Sequence, residues 1–455
     1  MRRWLQKVLL TGCLMAVSAL SGCAMPNLTA NPEELYALPI LPAKYTELNA
    51  RIAAILESGA EYAAPTSGTN IQPVQLVDLD GDRREEAVAF FRNSNDEKPL
   101  KIYVFTTSGE DGYRQADLIE GSGTGIYSIS YQDLDSDGQL ELAVGWKVTA
   151  NQQVLEVYAL RPDGARVLVQ SDYVKYTSAD LDQDQRKELV VFRTDEEGHS
   201  VADYYNWQDD GVLTHQGSGR ISMTMGELSS RGKVTLGVLE DQVPALFVTG
   251  VTDTTRAVTD ILAVKNGELN NLVLSAVTGV SRDIAMYRGL YPSDINGDGL
   301  TEVPEPVRLQ SLRDEGLSYY RVDWRTYDAN GRAAVAERTY HNLEDGWYFR
   351  MPEEWVNRIW ISRSLTQDEA IVTFYILGAD GVETEPFLRI AASTGSNREQ
   401  KAVRGERFLL SRQSKTIYTG ELLEANGSWR YAATADEVRQ AFSLLAASEW
   451  TSGDY

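Results

Sequence analysis

The nine residues Asp133-Leu134-Asp135-Ser136-Asp137-Gly138-Gln139-Leu140-Glu141 place carboxylates at positions 1, 3, 5 and 9 and a glycine at position 6. With the backbone carbonyl of position 7 they make an oxygen-rich loop suited to one hard cation. Ca²⁺ takes six to eight oxygens in a flexible shell, and a loop of this kind supplies them. The pattern returns at Asp78, Asp80, Asp82 and Glu86, at Asp180, Asp182, Asp184 and Glu188, and at Asp294, Asn296, Asp298 and Glu302. The position-7 carbonyls belong to Arg84, Gln139, Arg186 and Leu300. Three to four structural Ca²⁺ ions are expected, because carboxylates crowded into one hairpin repel each other until a cation joins them.

A fifth stretch, beginning at Glu227, aligns without gaps on the Asp133 loop but replaces the acids at positions 3, 5 and 9 with Ser229, Arg231 and Thr235. It is expected to keep the turn and lose the metal, with the Arg231 guanidinium standing near the ion's place. The loops are not EF-hands, which carry a bidentate glutamate at position 12 between helices. Here the acid stands at position 9 and the flanks are β-branched and aromatic.

Paired carboxylates can also act as general acid and base, as in glycosidases. A catalytic pair occurs once, whereas this grouping recurs, so ligation is the expected role. No nucleophile elbow, P-loop or HExxH is present, and the three histidines, His199, His215 and His341, lack zinc-ligand spacing. Gly121-Ser122-Gly123-Thr124-Gly125 lacks the strand-to-helix context of a nucleotide loop and is expected to be a flexible connection. No catalytic residue is identified.

The elements around the loops share one grammar: a strand enters, the acidic loop turns, a very apolar strand leaves, and two further strands follow with a glycine-containing turn between them. Val74–Val77, Ala87–Phe91 and Leu100–Phe105 flank the first loop; Leu142–Trp146 and Val154–Leu160 follow the second; Leu189–Phe192 follows the third; and Tyr319–Tyr327 lies after the last. The loop starts lie 55, 47, 47 and 67 residues apart. Repeats of that length with about four strands each predict a mainly β fold, a β-propeller of about five or more four-stranded blades. A single blade cannot bury both faces of its sheet, so blades must stack.

These loops resemble the D-x-[DN]-x-D-G-x-x-[DE] hairpins of FG-GAP or VCBS-type repeats of integrin-like β-propellers, over about residues 70–345. That resemblance implies a propeller with Ca²⁺ held in hairpins on one face. The chain departs from the pattern at Gly81-Asp82, where glycine and acid are exchanged, at Gln185 in place of glycine, and in the Glu227 copy.

At the N-terminus, Arg2, Arg3 and Lys7 precede an apolar run from Val8 to Leu20 that is too short to span a bilayer comfortably. Leu20-Ser21-Gly22-Cys23 then resembles a bacterial lipobox. Residues 1–22 are expected to be a lipoprotein signal peptide, Cys23 the lipidated residue, and 23–43 a tether holding the chain to the membrane outside the cytoplasm. Tyr45, Leu48, Ile52 and Ile55 lie on one face of an expected helix that opens a body spanning 44–345. The only other cysteine is Cys13, so the processed chain has no disulfide of its own.

After Asp345 the acidic loops stop. Strands are expected at Trp347–Phe349, Trp355–Ile361, Glu369–Leu377, Pro386–Ala392, Phe408–Leu410 and Thr416–Leu423, with a polar loop over 393–404. A closing helix starts at Thr434 with Glu437 completing a capping box, its buried face formed by Val438, Ala441, Phe442 and Leu445. Residues 346–455 are therefore expected to form a small α+β domain.

With 66 acidic and 43 basic residues the chain carries a formal charge of −23, which argues against nucleic acid as a partner. The expected function is that of an anchored binding or scaffold protein, not an enzyme, that recognises a protein or glycan. The alternative is a cell-surface polysaccharide-active hydrolase or lyase on a propeller scaffold.

Overall fold

The computed structural model describes residues 45–108, 112–208, 211–252, 255–286, 289–309, 319–379 and 381–445. Cys23, the signal segment and the tether lie outside the described residues. The chain divides into two compact units, one containing the described residues up to Gly59 together with Thr106–Arg114, the other containing 60–105 and 115–455. In the first, the expected helix forms as α1 (Thr46–Glu57), with Leu48 and Ile52 buried. Glu47 and Arg51, one turn apart on its exposed side, make an ion pair at 2.9 Å, and the Tyr45 ring lies 6.0 Å from that of Tyr113.

After α1 the chain is mainly β, in six antiparallel sheets of four or five strands. The first runs Val74–Val77, Glu86–Arg92, Leu100–Ser108, Gly112–Gly121, with Glu61–Tyr62 pairing further along the same edge of Glu86–Arg92. The second runs Gly125–Gln132, Glu141–Lys147, Gln153–Arg161, Gly164–Asp172, and the third Lys175–Ala179, Glu188–Thr194, Ser200–Trp207, Leu213–Arg220. Each is a meander in chain order. Gly121–Gly125 joins the first sheet to the second, as expected.

In these three sheets the strand that leaves the acidic loop is buried almost end to end. In the second and third sheets this strand is covered on both faces by neighbouring sheets rather than on one, which explains its apolar run. The apolar clusters show which neighbours. Phe90, Ile102 and Val104 pack against Ile126, Leu142 and Val144; Leu155 and Val157 against Val191 and Trp207; Phe192 and Tyr204 against Leu246 and Leu262; Phe247 and Ile261 against Val303 and Tyr327; Tyr340 and Phe349 against Ile361 and Phe374. Each sheet thus packs on the next one along the chain.

The fourth sheet corrects the reading of the Glu227 copy. Residues Met225–Arg231 form a helix, α2, instead of a turn, with Thr224 as N-cap and the Glu227 side chain returning to the Thr224 backbone. Thr224-x-x-Glu227 is a capping box, and the gapless match to the Asp133 loop concealed it. Gly232, aligned with the loop glycine, is needed for a different reason: a Cβ there would fall 2.4 Å from Leu228. The strand after α2, Lys233–Val238, is the entering strand of its sheet, so the alignment was displaced by one strand. The connection matching the acidic loops is the short turn from Leu239 to Val243, closed by Leu239 N donating to Val243 O at 2.9 Å. Pro244–Val251 and Arg256–Lys265 follow, and Glu268–Asn271 and Ile284–Met286 share the far edge.

The fifth sheet runs Val303–Arg308, Tyr320–Tyr327, Ala333–Asn342, Trp347–Arg350 and Phe442–Leu444. The boundary expected at 345/346 falls inside it. The closing helix α5 (Ala435–Ala441) has the expected capping box, but it ends at Ala441, and Phe442–Leu444 leaves as a strand pairing with Trp347–Phe349. The expected helical face through Leu445 is corrected accordingly. The sixth sheet has the order Ile359–Thr366, Glu369–Leu377, Glu383–Ser393, Ile417–Leu422, Phe408–Arg412. Its first strand starts later than expected because Glu353–Trp355 is a 3-10 turn that seats the Trp355 ring in the core. The loop expected at 393–404 carries the short helix α3 (Arg398–Ala402), and a further helix, α4 (Glu424–Ser428), follows the sixth sheet's strands.

Candidate metal sites

All four acidic loops fold alike, and one set of hydrogen bonds explains why. The position-2 amide donates to the position-9 glutamate: Leu79 to Glu86 at 2.9 Å, Leu134 to Glu141 at 3.0 Å, Leu181 to Glu188 at 2.6 Å and Ile295 to Glu302 at 3.1 Å. The position-6 amide donates to Oδ2 of the position-1 aspartate, from Arg83, Gly138, Gln185 and Gly299 at 2.9–3.1 Å. Position 5 donates to the side chain of position 3, and position 7 to that of position 5. Asp133, Asp180, Glu188 and Glu302 each spend one oxygen on the backbone and leave the other without a partner, whereas Asp78 and Asp294 spend both on backbone amides.

Positions 4 and 6 both have positive φ in every loop: Gly81 and Arg83, Ser136 and Gly138, Gln183 and Gln185, Gly297 and Gly299. The exchange at Gly81-Asp82 is therefore no defect. Two left-handed residues are required, and glycine occupies either, both or neither. The Asp180 loop holds two glutamines there, a conformation that L residues rarely adopt without compensation. Successive loops are also stitched together, Leu140 N donating to Leu79 O at 2.8 Å and Lys187 N to Leu134 O at 2.7 Å. Position 8 of one loop thus meets position 2 of the loop before it.

The free oxygens carry the metal argument. The position-9 glutamates are buried, Glu86 at 3%, Glu141 at 2% and Glu188 and Glu302 at 0% exposure. Glu188 Oε1, Glu302 Oε1, Asp133 Oδ1 and Asp180 Oδ1 are shut off from solvent and have no hydrogen-bond partner. A buried carboxylate oxygen without a donor is among the most expensive groups a protein can hold. Burial pushes Glu141, Glu188 and Glu302 up to about 7, with the neighbouring aspartates adding to it. Asp135 is raised by burial and by Asp137 beside it. A cation would satisfy all of these atoms together, so the residues present fit one.

Three loops gather their acids closely enough to hold a metal ion: Asp78, Asp80 and Glu86; Asp133, Asp135 and Glu141; and Asp180, Asp182, Asp184 and Glu188, with ligand atoms within 4.8 Å of one another. Asp82 and Asp137 stand outside these groupings. Asp137 accepts from Gln139 Nε2 at 3.0 Å and faces Arg161 at 3.6 Å. In the last loop Asp298 Oδ2 accepts from Asn296 Nδ2 at 3.0 Å, which ties two expected ligands to each other. Backbone groups of Arg84, Gln139, Arg186 and Leu300 lie at position 7, where their amides cap the position-5 side chain.

Two neighbours escaped the sequence reading. Arg161 lies 3.8 Å from Asp135 Oδ2, and Asn206 Nδ2 donates to Asp182 Oδ2 at 2.8 Å. Both sit near the end of the third strand of their sheets. Antiparallel pairing, Leu142 with Tyr158 and Leu189 with Tyr205, brings that end beside the loop. Arg161 lies three residues, and Asn206 one residue, beyond those paired tyrosines.

Asp203, His215 and Ser218 meet in the third sheet, but Ser218 Oγ donates to Asp203 Oδ1 at 2.6 Å, and the same His215 Nε2 faces both Ser218, at 3.3 Å, and Asp203, at 3.6 Å. A proton relay needs the two partners on opposite ring nitrogens. The buried Asp203 is also neutralised by Arg193. This is a structural polar cluster.

No protein-family model matches the chain, and no curated protein matches it. Among solved structures, the chain is similar to the Bacillus licheniformis rhamnogalacturonan lyase PL11 at 11% identity and a TM-score of 0.30, over 72% of this chain and 77% of that one. It is also similar to the Pseudomonas aeruginosa PilY1 C-terminal domain at 10% identity and a TM-score of 0.26, over 74% and 87%. A putative 6-phosphogluconolactonase from Bacteroides fragilis matches at 12% identity and a TM-score of 0.24, over 70% and 84%. Likeness at this level carries no argument about what the chain does.

Proposed function

We propose that this chain is a lipid-anchored, extracytoplasmic binding protein whose six sheets are the blades of a β-propeller stabilised by three to four Ca²⁺ ions, and that it recognises a protein or glycan partner. The observation that carries the metal reading is the set of buried, unpartnered carboxylate oxygens repeated at equivalent positions of the acidic loops. Asp78, Asp80, Asp82 and Glu86, and their counterparts in the other loops, would hold the ions with the position-7 carbonyls. The bound cation would offset the repulsion between acids and leave the loops as fixed edges between consecutive sheets. The blade reading is supported by the meanders of the first three sheets and by apolar clusters that join each sheet to the next. The anchor rests on Leu20-Ser21-Gly22-Cys23.

The decisive measurement is the melting temperature across a Ca²⁺ titration, set against EDTA. A ligand that binds only the folded state adds about 2.7 kcal/mol per site at a hundred times Kd. A saturable rise of that order is expected. An unchanged melting temperature would reduce the loops to acidic turns and remove the physical support for the metal.

A further inference from the structure

A cavity of about 380 Å³ opens between the entering strands of the second and third sheets, closed on one side by the segment Ser67–Thr69. Its volume lies within the range of about 300–1,000 Å³ seen for ligand pockets. In a chain of net charge −23 its lining holds no carboxylate and two lysines, Lys175 and Lys187. Neither ammonium has an acidic partner within 4.0 Å among the described residues. The rest of the wall is hydroxyl-rich. Ser130 Oγ and Tyr176 Oη share a hydrogen bond of 2.9 Å across the two sheets, and Ser178 donates to Gln132 beside them. Tyr173 joins Tyr127 and Tyr176 as a third phenol in the wall, its ring 5.7 Å from that of Tyr176. Gly145 makes room for it, since a Cβ there would fall 2.1 Å from Tyr173 Oη and 2.8 Å from Ser128 Oγ.

Hydroxyls that both donate and accept, phenol rings with an apolar face, and two unpaired cations without a competing anion describe a complement to a sugar ring bearing a carboxylate. Lysine ammonium groups attract such an anion as point charges, and the absence of acids in the wall keeps that attraction from being cancelled locally. We propose that this cavity binds a uronic-acid-type carbohydrate. The inference rests on the glycan-recognition reading given above and names the ligand class and the place. Lys175 would meet the carboxylate, and Ser130, Tyr176 and Ser178 the ring hydroxyls.

The test is calorimetric titration of the full chain in Ca²⁺ with D-glucuronate, D-galacturonate and D-glucose. At least one uronate is expected to bind, with glucose weaker by about tenfold or more, and added salt should weaken the uronate. Lys175→Gln should weaken uronate binding to the level of glucose while leaving the melting temperature in Ca²⁺ unchanged. Tyr176→Phe, which removes one hydroxyl and keeps the ring, serves the same purpose if the lysine variant misfolds. Equal binding of glucose and both uronates, no binding of any, or unchanged uronate affinity in both folded variants would overturn the proposal. A Ca²⁺-dependent melting temperature with no uronate binding would sink this inference alone. Uronate binding with no Ca²⁺ effect would sink the metal reading and leave this one standing.

Discussion

The acidic-loop sheets and the C-terminal sheets solve the same packing problem by different means. From Val74 to Arg220 the cores are mostly aliphatic, and the hairpins between the first two strands are nine-residue loops with charged interiors. From Tyr319 onward there are no such loops among the described residues. The core there is built around Trp347, Phe349, Trp355, Phe374, Phe387 and Trp429, with ring centroids as close as 4.7 Å. The fourth sheet, between them, shows what a plain connection requires. Its Leu239-to-Val243 turn closes on two backbone hydrogen bonds, Leu239 N to Val243 O and Gln242 N to Leu239 O, with no ring of acids. A turn therefore needs neither nine residues nor four carboxylates, and the acids of the other loops answer to a different need. One region should depend on a cation, the other on aromatic burial.

The largest single-residue effect should fall in the aromatic region. Trp355 is 1% exposed, and its indole N–H donates to Tyr431 O at 3.0 Å. Trp355→Ala should cost about 3–5 kcal/mol, equally in Ca²⁺ and in EDTA. Denaturant melts in the two buffers check this, and a loss confined to Ca²⁺ would break the division between the regions.

In the acidic region the dependence should reverse. Asp135→Ala removes a carboxylate that burial and Asp137 already strain. It should lower stability by about 1–3 kcal/mol in saturating Ca²⁺ and little or not at all in EDTA. Glu188→Gln keeps an acceptor for the Leu181 amide and removes the charge on a fully buried group. It should be destabilising in Ca²⁺ and neutral or stabilising in EDTA. Equal losses in both buffers would refute a metal role at those loops.

Why some of this was legible in the sequence and some was not follows from the same contrast. The acidic loops were readable because their carboxylates recur at fixed spacing, and their flanking strands fell where the apolar runs placed them. The left-handed conformations at positions 4 and 6 were not, because the sequence shows a missing glycine at Gln185 but not the φ that Gln185 adopts regardless. Arg161 and Asn206 required knowledge of strand register. The Glu227 stretch misled because Gly232 and the apolar run after it satisfy a loop template and a helix-to-strand junction equally well. The return of Phe442–Leu444 to the fifth sheet was invisible for another reason. Phe442 and Leu445 continue the helical spacing of Val438 and Ala441, and only the free edge of Trp347–Arg350 decides between helix and strand. The acid-free wall around Lys175 depends on two strands from different sheets, so no local pattern announces it.

A pH scan sharpens the comparison from the aromatic side. His341 is sandwiched near Trp324 and Tyr348, both ring nitrogens shut from solvent without a partner. Burial holds its pKa down at about 3. An unfolded histidine titrates near 6.5, so between the two values the unfolded chain binds the extra proton. This contribution leaves stability flat above about pH 6.5 and erodes it as pH falls toward 3. At pH 5 the loss should be about 2 kcal/mol. His341→Phe should abolish that limb in Ca²⁺ and in EDTA alike, measured as the difference between variant and parent across the scan. A pH dependence unchanged by the substitution would mean that the acid sensitivity of the molecule lies elsewhere.

The smallest effect tests the helix that stands where a metal-free turn was expected at Glu227. Thr224 accepts from the Glu227 amide at 3.2 Å, and the Glu227 carboxylate accepts from both the amide and the hydroxyl of Thr224 at 2.8 and 2.9 Å. The Thr224 hydroxyl and Glu227 Oε2 are thus both committed to starting α2. Thr224→Ala should cost about 1 kcal/mol, the usual loss for an N-cap, by the same amount with Ca²⁺ present or chelated. A loss that grows with Ca²⁺ would mean that the α2 segment contributes to an ion site after all, and the line between cation-dependent and cation-independent sheets would have to move to include the fourth.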